Sequence, residues 1–222
     1  ERAKKNGLEF LSTAFDLKSH KFLMNLGIKK IKIPSGELTN GPLIWEFAKS
    51  GLDIIVSTGM ANMNEIEDAL AVIAHSYNFK EMPSNMNEVR KIFRNKKVQN
   101  TLIDKVTILH CTSQYPTEPQ YVNLRAMQSI KEKFGLDIGY SDHTKGISIA
   151  LAAAAYGASI IEKHFTINRM LPGPDHGASL EPNELKEMIQ GIRDIEKCLG
   201  DGIKKPQKDE EKMKLSARKQ II

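Results

Sequence analysis

The chain is poor in aromatics, nearly empty of cysteine and without a long apolar run, and each shortage removes a class of protein. Aromatic side chains make up 6% of the 222 residues. No stripe of interleaved basic and aromatic residues occurs, so the net charge of +5 leaves no nucleic-acid footprint. The basic residues are densest at Lys91–Lys97 and Lys204–Lys219, with acidic residues often interleaved. They read as a solvated surface, one that also suits an anionic substrate. The two cysteines, Cys111 and Cys198, stand far apart and suggest no disulfide framework, so reduced thiols in a cytoplasmic protein are expected. No apolar run approaches the roughly 20 residues of a membrane span, and no signal peptide opens the chain, so no membrane partner is expected. A Walker loop and a dinucleotide fingerprint are also missing, which leaves nucleotide binding without a motif.

What is present reads as a globular domain with a sizeable core, at 41% apolar and 27% charged residues. Short runs rich in Ile and Val recur at Phe10-Leu11-Ser12, Lys30–Ile33, Asp53–Val56, Val106–Leu109, Asp137–Tyr140 and Ser159–Ile161. They fit strands buried on both faces of a parallel sheet. Helical patterns follow. Asp16–Leu26 places Leu17, Phe22, Leu23 and Leu26 on one side, and Asn62 caps Glu65–His75 with Ile66, Ala69, Leu70 and Ile73 inward. Further helices are expected at Asn123–Phe134, Gly146–Tyr156 and Pro182–Leu199, the last with proline in its first turn and Gly200 beyond its end. The repeat is that of β/α units. A Lys/Asn-rich stretch, 75–105, reads as an inserted helical or partly flexible excursion, and 204–214 as a linker or solvated helix. The chain opens on Glu1 rather than Met and closes on an apolar run at Lys219–Ile222, so a piece of a longer chain is expected.

Each apolar run ends in polar residues: Ser12-Thr13, Ser35-Gly36-Glu37, Ser57-Thr58-Gly59, His110 to Ser113, Ser141-Asp142-His143 and Lys163-His164. Loops at the carboxyl ends of parallel strands converge on one opening, so these residues are expected to form the active face. Helix capping explains many of the Ser, Thr and Gly residues. It does not account for Lys32, Glu37, His143 and His164 together. His143 and His164 end consecutive strands and are expected side by side, as two imidazoles of an open divalent-metal site. Either one alone also reads as an ordinary hydrogen-bonding histidine.

The motifs Phe10-Leu-Ser-Thr-Ala-Phe-Asp16, Lys32-Ile-Pro-Ser-Gly-Glu37, Ser57-Thr-Gly-Met60 and His110-Cys-Thr-Ser-Gln-Tyr-Pro116 resemble the sialic acid synthases. So do Gly139-Tyr-Ser-Asp-His-Thr144, Glu162-Lys-His-Phe-Thr166 and Gly173-Pro-Asp-His176, in the same order. Legionaminic and pseudaminic acid synthases look similar, so the sugar stays open. The resemblance implies an α/β (β/α)₈ TIM barrel, here incomplete. About strands 3–8 are expected within 1–203, the first two strands are missing, and the family's C-terminal antifreeze-like domain begins at most within 204–222. It also implies a homodimer in the full-length protein, the small domain of one subunit completing the sugar site of its partner.

The implied reaction condenses phosphoenolpyruvate with N-acetylmannosamine or a related N-acetylated sugar, giving a nonulosonic acid and phosphate by C–O cleavage. His143 and His164 would hold a divalent metal, Mn²⁺ first and Mg²⁺ or Co²⁺ as alternatives. Glu37 would orient or deprotonate water. Thr13, Lys32, Ser35, Ser57, Ser113 and Ser141 match phosphoenolpyruvate-holding positions, and Phe15, Tyr115 and Asp175 match the sugar side. Tyr115 equally suits a core role, and Asp175, beside Pro174, a turn. Two departures stand out: Ser113 replaces the Asn or Thr of some relatives, and the excursion at 76–105 is longer than the usual connection. The competing readings are an aldolase acting on a keto-acid sugar, either metal-dependent or using Lys163 or Lys32 as a Schiff base, and a non-catalytic fragment.

Overall fold

The computed structural model describes residues 1–219; residues 220–222, the end of the segment expected to lead into a further domain, lie outside them. Five parallel strands form one sheet in the order β1-β2-β3-β4-β5, each paired with its sequence neighbours. They are β1 (Lys30–Ile33), β2 (Asp53–Ser57), β3 (Val106–Cys111), β4 (Asp137–Asp142) and β5 (Ile161–Lys163). Helices precede, connect and follow them: α1 (Arg2–Lys5), α2 (Leu17–Asn25), α3 (Gly41–Lys49), α4 (Met63–Asn78), α5 (Met86–Phe93), α6 (Lys96–Asn100), α7 (Arg125–Phe134), α8 (Ser148–Ala155), α9 (Pro182–Leu199) and α10 (Lys208–Ala217). Strand followed by helix, with every connection returning to a parallel neighbour, is the β/α repeat.

Alternation along the strands sorts the side chains. Ile31, Ile33, Ile54, Val56, Val106, Ile108, Ile138 and Tyr140 join the main core beneath the helices. The other face carries Lys32, Ile55, Ser57, Leu109, Cys111, Gly139, Ser141 and Glu162, as the registers require. That second face is concave. In a flat sheet, edge strands four steps apart would be separated by about 19 Å, beyond the joint reach of a lysine and a glutamate. Yet Lys32 on β1 pairs with Glu162 on β5. The sheet therefore curls as part of a barrel wall, with these residues facing a lumen. Gly139 fits this curvature, since a Cβ there would come within 2.6 Å of the Ile160 carbonyl.

Local chemistry sets the helices. Asn62 accepts from the amides of Asn64 and Glu65, while Glu65 returns a bond to the Asn62 amide, a complete capping box that starts α4. Ile66, Ala69, Leu70 and Ile73 are all buried, as the periodicity predicts. Asp16 caps α2 through the Lys18 and Ser19 amides. Gly135, at φ 66°, ends α7.

Four expectations change. Phe10-Leu11-Ser12 forms no strand: among the described residues it finds no ladder, and an ion pair from Glu9 to Lys30 of β1 is what ties this stretch to the sheet. In α2 only Leu23 of the expected apolar row is buried; Leu17, Phe22 and Leu26 are exposed, and His20 packs inward against Phe47 instead. The last strand begins two residues late, because Ser159 uses both its amide and hydroxyl on the Ile138 carbonyl before the ladder proper starts. The stretch 75–105 is an ordered helical layer: Val89, Phe93, Val98 and Leu102 enter the main core.

Candidate active site

Polar side chains line the carboxyl ends of the strands on the lumen face. Ser141 and Glu162 stand opposite each other on β4 and β5. Ser141 Oγ donates to Glu162 Oε1 at 2.6 Å, and Lys32 Nζ donates to both oxygens of the same carboxylate. Burial alone would raise the Glu162 carboxyl. The Lys32 charge and the hydrogen bonds from Lys32 and Ser141 outweigh it, and the carboxyl falls below its ordinary value.

Two residues further along the same strands come His143 and His164. Their ring centroids are 5.5 Å apart, inclined at 63°. His143 Nδ1 lies 2.7 Å from the Thr112 carbonyl, which assigns the proton to Nδ1 and leaves Nε2 with its lone pair, 3.5 Å from Ser141 Oγ. Burial lowers the His143 pKa; the Thr112 carbonyl opposes this and His164 adds to it. The imidazole is thus held neutral, the form that ligates. Tyr115 covers both rings, with centroids 4.1 Å from His143 and 5.5 Å from His164. Asp175 Oδ2 lies 3.9 Å from His164 Nδ1.

Among the described residues no group of three His, Cys, Asp or Glu side chains converges as a closed metal cage. The donor set instead fits an open site: two imidazole nitrogens, one oriented by a backbone carbonyl, with further positions left for substrate or water.

A second cluster gathers the ends of β1, β2 and β3. The Gly59 amide donates to Ser35 Oγ at 2.9 Å, and Ser35 Oγ lies 3.3 Å from Cys111 Sγ. A Cβ on Gly59 would overlap the Ser113 hydroxyl and crowd Ser35, so glycine lets these three side chains meet over one backbone turn. Ser57, on the lumen face, is 2% exposed, and its Oγ has no hydrogen-bond partner among the described residues. Glu37 sits in the turn after β1, its carboxylate accepting from Asn40 Nδ2 at 2.7 Å. Thr13 and Phe15 lie on the irregular segment before α2, half-buried and exposed respectively.

On the helix side of the sheet, Lys163 Nζ donates to Asp142 Oδ2 at 2.8 Å and to the Thr144 carbonyl. The two side chains are 2% and 0% exposed. Lys163 therefore points away from the lumen, and the Schiff-base alternative has no free amine there. Lys32, its other candidate, is tied to Glu162.

The profile of the NeuB family matches residues 1–204. The chain is 50% identical over 220 residues to the N,N'-diacetyllegionaminic acid synthase of Campylobacter jejuni, covering 99% of this chain and 59% of that protein. The chain belongs to the NeuB family. Human N-acetylneuraminate-9-phosphate synthase, another relative, is 33% identical over 89% of this chain and 48% of its own length. The crystal structure of the N-acetylneuraminic acid (sialic acid) synthetase of Leptospira borgpetersenii superposes with a TM-score of 0.76 at 35% identity, covering 99% of this chain and 69% of that one. The chain thus spans between about half and two thirds of these NeuB-type relatives.

The structure brings Lys32, Ser141, His143, His164, Tyr115 and Asp175, all expected from the sequence, into one line. Glu162 joins that line and was not among the expected site residues. Its signal was available: it precedes His164 by two positions, so strand alternation puts both on one face.

Proposed function

We propose that this chain carries the metal-binding and phosphoenolpyruvate-binding wall of a nonulosonic acid synthase. The reaction joins phosphoenolpyruvate to an N-acetylated mannose-type sugar and releases phosphate by C–O cleavage. The observation that carries the reading is the polar line across the lumen: Lys32, Glu162 and Ser141 leading to the neutral His143 beside His164. A lysine, hydroxyls and a glycine-opened turn suit a ligand bearing a carboxylate and a phosphate. The partnerless Ser57 hydroxyl offers one more donor on that face.

A divalent cation on His143 and His164, Mn²⁺ in our reading, would polarise the sugar aldehyde toward the enol carbon. Lys32 and the hydroxyls of Ser35, Ser57, Ser113 and Ser141 hold the phosphoenolpyruvate anion, and Thr13 adds to them. Glu37 orients or deprotonates the water that attacks the carbon from which phosphate departs. Tyr115, lying across both imidazoles, excludes water and meets the sugar together with Phe15 and Asp175. Two relatives, 50% and 43% identical, are named N,N'-diacetyllegionaminic acid synthases, so we place a deoxy-diacetamido sugar ahead of N-acetylmannosamine and its 6-phosphate.

The test is phosphate release from phosphoenolpyruvate by the full-length protein with Mn²⁺ and each of the three sugars. Release with the deoxy-diacetamido sugar is expected to be fastest. No release with any of the three sinks the proposal, and preference for another sugar overturns the substrate choice alone.

A further inference from the structure

The ladder between β4 and β5 ends at the pair Asp142 and Lys163. The next residue on each strand is one of the two imidazoles. Behind them, on the face away from the lumen, Asp142 and Lys163 form an ion pair closed off from solvent. A buried pair of charges is a poor source of stability, since desolvation offsets most of its attraction. Its geometry here is specific. Asp142 Oδ1 accepts from both the amide and the hydroxyl of Thr144, at 2.9 and 2.8 Å. Its other oxygen takes Lys163, whose ammonium also reaches the Thr144 carbonyl. The residues before and after His143 are thereby clamped together, and the clamp is attached to the residue preceding His164. Two further bonds hold the imidazole-bearing backbone from outside, Thr117 N–H to the His143 carbonyl at 2.8 Å and Leu180 N–H to the His164 carbonyl at 2.9 Å.

We propose that Asp142 and Lys163 are positioning residues: their buried pair fixes the separation of His143 and His164, and so the width of the site the two imidazoles offer a divalent cation. The inference rests on the metal reading above, but its geometric half does not. A side chain moved by a fraction of an ångström is costly in a ligand set, and outer partners of metal ligands typically change affinity by about 10- to 100-fold.

The test uses the full-length protein and two variants. In Asp142→Leu/Lys163→Met both charges are replaced by apolar groups, which avoids the unpaired charge that makes single variants unfold. This double variant is expected to fold, with parental circular dichroism and melting, yet to bind Mn²⁺ about 10- to 100-fold more weakly by calorimetry. Its crystal structure is expected to show the ring centroids displaced from the parental 5.5 Å. Lys163→Arg, which keeps the charge pair, is expected to retain more affinity than the double variant. A folded double variant with unchanged ring separation overturns the proposal. If the rings move but the parent itself binds no divalent metal, the positioning role stands and the metal reading falls.

Discussion

Glu162 and Lys163 are neighbours in sequence, and each closes a lysine–carboxylate pair, yet the two pairs lie on opposite sides of the sheet. Toward the lumen, Lys32 and Glu162 form a partly exposed pair whose partners come from opposite edges of the sheet. Toward the helices, Asp142 and Lys163 form a sealed pair between adjacent strands. The same two charges meet different surroundings, and these determine their use. The lumen pair remains within reach of a ligand that competes for its lysine. The sealed pair is closed to solvent and holds the backbone and hydroxyl of Thr144. The comparison teaches that one face of this sheet keeps its charges partly open to solvent while the other seals them against the backbone.

Perturbing each face separately tests that division. Replacing His143 or His164 by Ala is expected to abolish metal binding and lower kcat/KM for phosphate release by about 10³-fold or more, the worth of several kcal/mol of charge stabilisation. Melting should move less for the part-exposed His164 than for the buried His143, and retained metal affinity in both variants would contradict the site. On the helix face, Leu70→Ala in α4 empties a fully buried position and is expected to cost about 3 kcal/mol in denaturant unfolding. Metal affinity of the folded fraction should be unchanged; a parallel loss would dissolve the contrast. Lys32→Met is expected to raise KM for phosphoenolpyruvate and lower kcat/KM by about 10- to 100-fold, one charge-assisted hydrogen bond's worth. A fall in kcat alone would move Lys32 from binding to chemistry. Asn62→Ala removes the side chain that caps α4 through the Asn64 and Glu65 amides and should cost about 1 kcal/mol with little kinetic change.

A pH scan disturbs the molecule least. His143 has a folded pKa below 6.5, so the unfolded chain binds its proton first; its contribution is complete above 6.5 and declines as pH drops from there. Glu162 is likewise depressed in the folded state. Its contribution is present above the ordinary value of 4.5 and lost as pH falls through the lower folded value. Acid should therefore weaken the lumen face in two stages. His143→Gln should shrink the upper stage of the melting profile, to which the buried His20 and His75 and the part-buried His110 also contribute, and an unchanged profile would mean that the imidazole is not desolvated.

Strand and helix positions were legible wherever a segment carried its own signal. Lys30–Ile33 and Pro182–Leu199 match their elements residue for residue, because an apolar run bounded by turns and a helix bracketed by Pro182 and Gly200 are local patterns. Phe10-Leu11-Ser12 failed since being a strand depends on a ladder partner, which the segment cannot specify alone. α3 has Asn40 as a cap and Pro42 in its first turn, but Leu43, Ile44, Trp45, Phe47 and Ala48 are buried on several sides, which blurs a one-sided helical period. In the site, His143 beside His164 was readable from consecutive strand ends. The Lys32–Glu162 pair was not, because its partners are 130 residues apart and meet only through the curl of the sheet.

That pair also has a consequence for how the protein is made. Closing a contact over 130 residues is slow relative to local pairing, since the entropy of the intervening loop must be overcome first. Each neighbouring strand pair can form as its β/α unit completes, but Lys32 meets its carboxylate only after β5 has docked. During synthesis from the ribosome this contact thus forms later than any of the neighbouring strand pairs it spans. A chain interrupted before Glu162 would hold several native strands and no assembled site, so ligand capture would report completion of the whole curl rather than progress toward it.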